Sequence, residues 1–349
     1  MSRMQEMRDI FHHIRQAWAR GQQTALLMIT EVRGSAYRQP GTKMMMAADG
    51  QMFGMLSGGC LESDLFGWAE RAMSEQTPIL REYNLSENDL WGLGIGCKGS
   101  LKILVLPIDE QDIFWRKMME AAASDQPFSF VLEVPTGLRV LFDQDGNMWG
   151  EVAELPEEVR RHTVMEAEQR TRAQVMQIHG RQYVIDTVRP SERLIVAGAG
   201  HDAVPVVQLA HTVGFSVTVL DPRSEFNDHR RFPVASHMVK EPSLVDYSEL
   251  SGACWVIMNH YQKRDEESLK VAIKSNPRYI GVLGPLSRTK EMLSNIGFAL
   301  SDGPIHAPIG LDLAAETIDE VAISIVSELM VTRSKRDALS LHGREKIHV

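Results

Sequence analysis

Cysteine is scarce in this chain: three occur in 349 residues, at positions 60, 97 and 254. An odd count in a chain long enough to bury full cores excludes a disulfide framework, so reduced thiols are expected. None of the three lies in a CxxC pair or a paired His/Cys cluster. A closed zinc site, which needs four N/S ligands, is therefore not expected, and no resident metal site is read. Long apolar runs are missing as well. No stretch approaches the roughly 18 residues of a membrane span, and the opening MSRMQEMRDIFHHIRQ is too polar for a secretory signal. The expected location is the cytoplasm. Positive charge is also in deficit. With 37 Lys and Arg against 46 Asp and Glu, the net charge of -9 argues against a nucleic-acid partner, which needs a basic face.

What remains is the composition of a soluble globular chain with room for two domains. Met4, Met7, Ile10, Phe11, Ile14 and Trp18 fall at helical spacing, so a core-facing helix is expected over 4–20. TALLMITEV reads as a strand. KMMMAADGQMFGML reads as a hairpin whose ADG turn separates two apolar runs. Leu61, Leu65, Trp68, Ala69 and Met73 then mark one face of a second helix, with acidic Glu62 and Asp64 in its first turn. LKILVLPI, FSFVLEV and LRVLFDQDGNMWGEV supply further strands, so the first domain is mixed α and β. A polar stretch over 156–174 precedes RQYVIDTVRPSER, and the domain boundary is placed near residue 188, giving domains 1–188 and 189–349.

From Arg193 the rhythm changes. RLIVAGAG, GFSVTVLD, CWVIMNH and YIGVLG alternate with helical patterns, the mark of a doubly wound parallel sheet. A last helix from Glu316 to about Thr332 places Ile318, Val321, Ala322, Ile325, Val326, Leu329 and Met330 on one face, expected to pack on that sheet. The tail SKRDALSLHGREKIHV is polar. The fold class is thus α/β: an N-terminal mixed α+β domain followed by a C-terminal Rossmann-like domain.

Gly198, Gly200 and Ala203 form GxGxxA directly after a strand and ahead of a helix, with Asp221 ending the next strand about 20 residues on. That context supplies a tight turn, backbone amides facing an anion, and an acid at ribose distance. His201 reads either as a donor to a phosphate or pterin-type ring, or as a histidine capping a helix. Arg223, in DPR, blurs a simple NAD reading because an arginine there binds an extra phosphate. In GPLSR, Ser287 and Arg288 offer a second anion contact at a helix start, although Ser287 taken alone reads better as an N-cap. An NAD(P)-dependent oxidoreductase needs an acid or base beside the nicotinamide. His260, Asp265 and His306 are the candidates, and the sequence places none of them.

Two thiols stand in glycine-rich turns. Cys60 follows Ser57, Gly58 and Gly59 at a strand-to-helix junction, where a helix N-terminus stabilises a thiolate. Cys97 sits among Gly94, Gly96 and Gly99, next to Lys98. Each reads as an activated thiol or as a small buried hydrophobe. Glu62 reads as an acid/base group or as a first-turn acid stabilising its helix. Cys254, in an apolar strand beside Trp255, is expected in the core.

The stretches EVRGSAYRQPGTKM, LSGGCLES and GIGCKGSLKILV in the first domain, with LIVAGAGHDAVPVVQLAHTVGFSVTVLDPR, YIGVLGPLSR and PIGLDLAAETIDEVAISIVSELM in the second, occur in this order along nearly the whole chain. In these the chain resembles the xanthine dehydrogenase accessory factors of the XdhC/CoxI type. The resemblance implies a dimeric cofactor chaperone more than an oxidoreductase. Its cargo would be molybdenum cofactor (molybdopterin or its dinucleotide form). Its partners would be a cysteine desulfurase that supplies sulfur and a xanthine dehydrogenase-type molybdenum hydroxylase that receives the cofactor. Carried onto this chain, it makes Cys60 and Cys97 the thiols that handle cofactor or sulfur, and it matches GAGH and DPR to Gly198–His201 and Asp221–Arg223. The family's second motif often reads GCGG. Lys98 stands here in place of a glycine, and either pairs with a cofactor phosphate or alters the turn.

Overall fold

The computed structural model describes residues 3–34, 38–59, 61–84, 99–166 and 173–343. The chain divides into two compact units, Arg3–Pro190 and Ser191–Val349.

In the first unit the described elements run α1 (Arg3–Ala19), β1 (Thr24–Gly34), β2 (Lys43–Ala47), β3 (Met52–Gly54), α2 (Glu62–Glu75), β4 (Ile79–Asn84), β5 (Gly99–Ile108), α3 (Ile113–Ala123), β6 (Phe128–Val134), β7 (Arg139–Asp143), β8 (Met148–Gly150), α4 (Glu157–Glu166), β9 (Gln174–Ile178) and β10 (Arg181–Val188). They form two antiparallel sheets, β3-β2-β1-β5-β4 and β8-β7-β6-β10-β9. The stretch that reads only as polar at 156–174 thus contains a helix. The expected hairpin is β2 and β3, with Met44 opposite Gly54.

Both sheets are covered on both faces, which is why β1 is buried from Thr24 to Thr30 instead of alternating. Leu26 and Met28 join a central core with Met4, Ile10 and Ile14 of α1, Trp115 of α3, and Val184 and Val188 of β10. Ala25, Leu27 and Ile29, on the opposite face of β1, pack with Leu65, Ala69 and Met73 of α2. Val131, Val140 and Tyr183 cover the far face of the second sheet with Val159 of α4. Helix α3 is started by Asp112, whose carboxylate accepts the Phe114 amide at 2.9 Å.

The second unit runs β11 (Arg193–Ala197), α5 (Ala203–Thr212), β12 (Ser216–Leu220), β13 (Ser236–Met238), β14 (Cys254–Ile257), α6 (Gln262–Lys274), β15 (Tyr279–Val282), α7 (Leu286–Asn295), β16 (Ile305–His306) and α8 (Ile318–Ser334). All six strands are parallel, in the order β13-β12-β11-β14-β15-β16. This is a Rossmann sheet, and its order reverses between β11 and β14. Leu194 and Val196 face α5 and α8, while Ile195 and Ala197 face the core shared with α6 and α7.

Helix α8 corrects one detail of the sequence reading. Ala322, Ile325, Val326 and Leu329 are buried as expected, but Ile318 and Met330 are 53% and 41% exposed. They lie at the two ends of the apolar stripe, and the seam that meets the sheet and α5 is narrower than the stripe. The helix starts with a capping box, Thr317 Oγ1 accepting the Glu320 amide while the Glu320 carboxylate accepts the Thr317 amide.

Candidate functional site

In the second unit, β11 ends in the turn Gly198–Gly200, and Met258, Asn259 and His260 follow β14 beside it. This pair of strand ends is the switch point, where ligands bind in open α/β sheets. Gly198 is fixed by sterics: at φ +121° an added Cβ would stand 2.5 Å from the Met258 carbonyl oxygen. Gly198→Ala combines a left-handed backbone with that overlap. It is expected to cost roughly 2 kcal/mol or more and to show as a lower thermal midpoint.

Asp221 does more to hold this turn than the sequence suggests. Its fully buried carboxylate accepts the Ala199 amide at 2.9 Å, the Arg223 amide at 2.9 Å, and two bonds from the Arg223 guanidinium at 2.9 and 2.7 Å. Burial alone would push its carboxyl up. The Arg223 guanidinium and these amides more than offset that and hold it below the usual carboxylate range. A ribose diol would have to displace Arg223 to reach it. Arg223 also lies over the Phe226 ring, 4.4 Å from its centroid. Arg231, which sequence reading missed, donates to the Ala199 carbonyl at 2.9 Å and the Gly200 carbonyl at 3.3 Å, pinning the turn from its other side.

His201 is exposed in the turn, and the N-cap position of α5 belongs to Asp202. Asp202 makes no capping bond to its helix. It turns to His260, whose Nε2 stands 2.6 Å from Asp202 Oδ2. The first amides of α5 are therefore left without a side-chain cap, next to an exposed Asp–His pair. The only hint of that pairing in the sequence is one acid directly after GAGH and one histidine directly after a strand.

The GPLSR residues take other places than expected. Pro285 occupies the N-cap position of α7, and Ser287 lies exposed within its first turn, so the N-cap reading of Ser287 is corrected. Arg288 donates to Asp265 at 2.6 Å and to the Leu283 carbonyl at 3.3 Å. Asp265, buried, accepts the Asn259 amide and side chain at 2.9 and 3.0 Å, so it anchors the end of β14. His306 is drawn elsewhere, to Glu328 at 2.7 Å, and the same carboxylate accepts the Tyr279 hydroxyl and the Gly310 amide. Cys254 is buried and free, its thiol pushed up to about 12 by burial, as a core residue requires.

In the first unit the loop from Leu56 to Leu61 leads into α2. Gly58 and Gly59 take φ +78° and +103°, and a Cβ at either would meet nothing within 4 Å, so they serve backbone shape and not crowding. Glu62 closes the loop. One carboxylate oxygen accepts the Leu56 and Ser57 amides at 3.3 and 3.0 Å; the other accepts the Ser57 hydroxyl at 2.6 Å and the Leu61 amide at 3.1 Å. Ser57 Oγ accepts the Leu61 amide in turn, at 3.0 Å. Burial would push the Glu62 carboxyl up, but the Ser57 hydroxyl and the loop amides hold it below the usual range. Cys60, Cys97 and Lys98 lie outside the described residues. Among the described residues no cluster of three His, Cys, Asp or Glu side chains could hold a metal ion, and no helix is long and apolar enough to cross a membrane.

Comparison with known proteins agrees with this architecture. The model of the XdhC Rossmann domain matches residues 194–329, and that of the XdhC and CoxI family matches residues 17–84. A Bacillus subtilis protein named as a probable component of xanthine dehydrogenase is 31% identical over 93% of this chain and 98% of its own length. The Escherichia coli molybdenum cofactor insertion chaperone PaoD is 23% identical over 93% of this chain and 88% of its own. A crystal structure described as a xanthine dehydrogenase from Bacillus halodurans superposes with a TM-score of 0.77 at 27% identity, covering 97% of this chain and 98% of that one. With both domain models matched in order and a relative above 30% identity along almost its entire length, the chain belongs to the XdhC and CoxI family.

Proposed function

We propose that this protein is a cytoplasmic accessory protein of a xanthine dehydrogenase-type molybdenum hydroxylase, which binds molybdenum cofactor as cargo and inserts it into that enzyme. The observation that carries the reading is a relationship running the length of the chain, to one protein named as a probable xanthine dehydrogenase subunit and to another named as a molybdenum cofactor insertion chaperone. The residues of the second unit fit such a cargo. The α5 amides, without a side-chain cap and next to a glycine turn, suit a phosphate or diphosphate tail. The cofactor itself brings a soft metal and a pterin dithiolene, and softness favours thiolate contacts. Cys60 and Cys97 are assigned that contact or the handling of sulfur from a cysteine desulfurase, with Lys98 next in sequence to Cys97. A homodimer is the assembly assigned to the chain.

A nicotinamide-dependent oxidoreductase is the competing reading, favoured by GxGxxA and the order of the parallel strands. The engagement of Asp221 by Arg223 weighs against it. Protein purified without oxygen from a molybdate-fed host should carry molybdenum and pterin near one per chain, measured by elemental analysis and the fluorescence of oxidised pterin. Cys97→Ala should lose both while keeping its fold. Wild-type protein with neither, but with tight NADPH binding by fluorescence titration, would overturn the accessory reading.

A further inference from the structure

The Asp202–His260 pair has a geometry that capping or packing does not require. Asp202 stands where a carboxylate would cap α5, and it accepts from the imidazole instead. A carboxylate only accepts, so His260 Nε2 carries the proton of that bond, and in the neutral ring Nδ1 keeps its lone pair. The ring is not buried: 59% of the His260 side chain is exposed, against 20% for Asp202.

The backbone beneath the ring is set with equal care. His260 has φ +57°, a left-handed conformation uncommon outside glycine, and such residues persist where the surroundings over-determine them. Here the surroundings are a relay behind the strand end. Arg288 donates to Asp265, Asp265 accepts both the amide and the side chain of Asn259, and Asn259 Nδ2 also donates to Ser268 at 3.3 Å. Asn259 Oδ1, in contrast, is buried with no hydrogen-bond partner among the described residues. That acceptor is the one buried polar side-chain atom of the relay left without a partner, and it stands next in sequence to the oriented imidazole.

We propose that His260 is a ligand-contacting residue of the crevice, its Nδ1 accepting a hydrogen bond from an N–H or O–H of the bound small molecule, and that Asp202 is the positioning residue that fixes the ring and its tautomer. The chemical class that fits is a heterocycle with ring N–H donors joined to an anionic group, the anion on the glycine turn and the α5 amides. The inference rests on the cofactor-binding reading above and names the contact within that site. Arg288 and Asp265 thereby act one step behind, holding the strand end that presents the ring.

The test uses the full chain charged without oxygen with pterin-dithiolene cofactor released from a molybdenum enzyme. Retention is read after gel filtration as the fluorescence of oxidised pterin, with no hydroxylase present. His260→Gly removes the ring and relaxes the left-handed backbone, and should weaken retention about ten-fold or more. His260→Asn, which tolerates that backbone and restores an amide acceptor, should recover part of the loss. Asp202→Asn frees the tautomer and should fall between. Wild-type retention in His260→Gly would overturn this inference and leave the accessory function standing. Wild-type protein that retains no pterin would overturn both.

Discussion

Asp186→Asn is expected to destabilise the first unit by about 3–5 kcal/mol, the cost of stranding a buried charge, and to lower its thermal midpoint by roughly 10 °C. Asp186 has no exposed side-chain surface, and it lies on the same face of β10 as Val184 and Val188, inside the central core. Two cations meet it there. Arg3 pairs with one carboxylate oxygen and the buried Lys43 with the other. Lys43 also donates to the Gly41 carbonyl at 2.8 Å, and its ammonium stands 5.2 Å from the centre of the Phe130 ring. Burial alone would push the Asp186 carboxyl up, yet Arg3 and Lys43 together hold it below the usual carboxylate range.

The direction of its pH dependence follows from that depression. The stability Asp186 contributes is complete above the unfolded carboxylate range, near pH 4, and is lost as pH falls through its lower folded value. Asp186→Asn should remove this part of the acid transition, measured as the shift in midpoint between pH 7 and pH 3. Lys43→Met should also destabilise, but less, because Arg3 still neutralises the carboxylate. Replacing Lys43 by Met and Asp186 by Leu together should come closer to wild type than Asp186→Asn alone. A double variant as unstable as Asp186→Asn would show that the cost lies in the packing of β10 and not in the stranded charge.

That triad also marks where sequence reading stops. Strand and helix positions were legible because they follow from periodicity within one segment: Met4 to Ile14 gave α1, and KMMMAADGQMFGML gave the hairpin of β2 and β3. The parallel order of the second unit was legible because strand and helix alternate locally. Lys43 and Asp186 are 143 positions apart; Lys43 is the one polar residue of β2, and Asp186 is one of several polar residues in β10. Nothing local says that the two meet. Asp202 and His260 are likewise 58 positions apart, joined only by the closure of β11 against β14. Asp221 was found from its spacing after the glycines, but its spacing could not reveal that Arg223, two residues on, turns back onto it. The two sheets of the first unit were not separable for a related reason. Their central strands β1, β5, β6 and β10 are buried largely on both faces, which removes the alternation that would assign them to a sheet.

Glu62→Ala is expected to abolish cofactor retention as fully as Cys60→Ala should, although Glu62 need not touch the cargo. Its carboxylate accepts from three amides and a hydroxyl within residues 56–61, and without it those donors lose their common partner. Gly58 and Gly59 have no side chains with which to hold the loop, so its described contacts rest on Glu62 and on the Ser57 hydroxyl, which itself donates to Glu62. The effect on global stability should be small, about 1–2 kcal/mol, because α2 keeps Leu65, Ala69 and Met73 in the core. Loss of retention with a nearly unchanged thermal midpoint is therefore the distinguishing result. Glu62→Gln should fall between, since its amide oxygen still serves the Leu56 and Ser57 amides while its NH2 faces the Leu61 amide, donor against donor. Because the Glu62 carboxyl is held below its ordinary value, its contacts to the loop amides are complete at neutral pH and weaken as pH falls through that lower value. Retention in wild type should decline over the same range and in Glu62→Ala should be absent throughout. A Glu62→Ala protein that retains pterin like wild type would show that the loop's closed shape is not what the cargo reads, and would leave Cys97 and the second unit to account for binding.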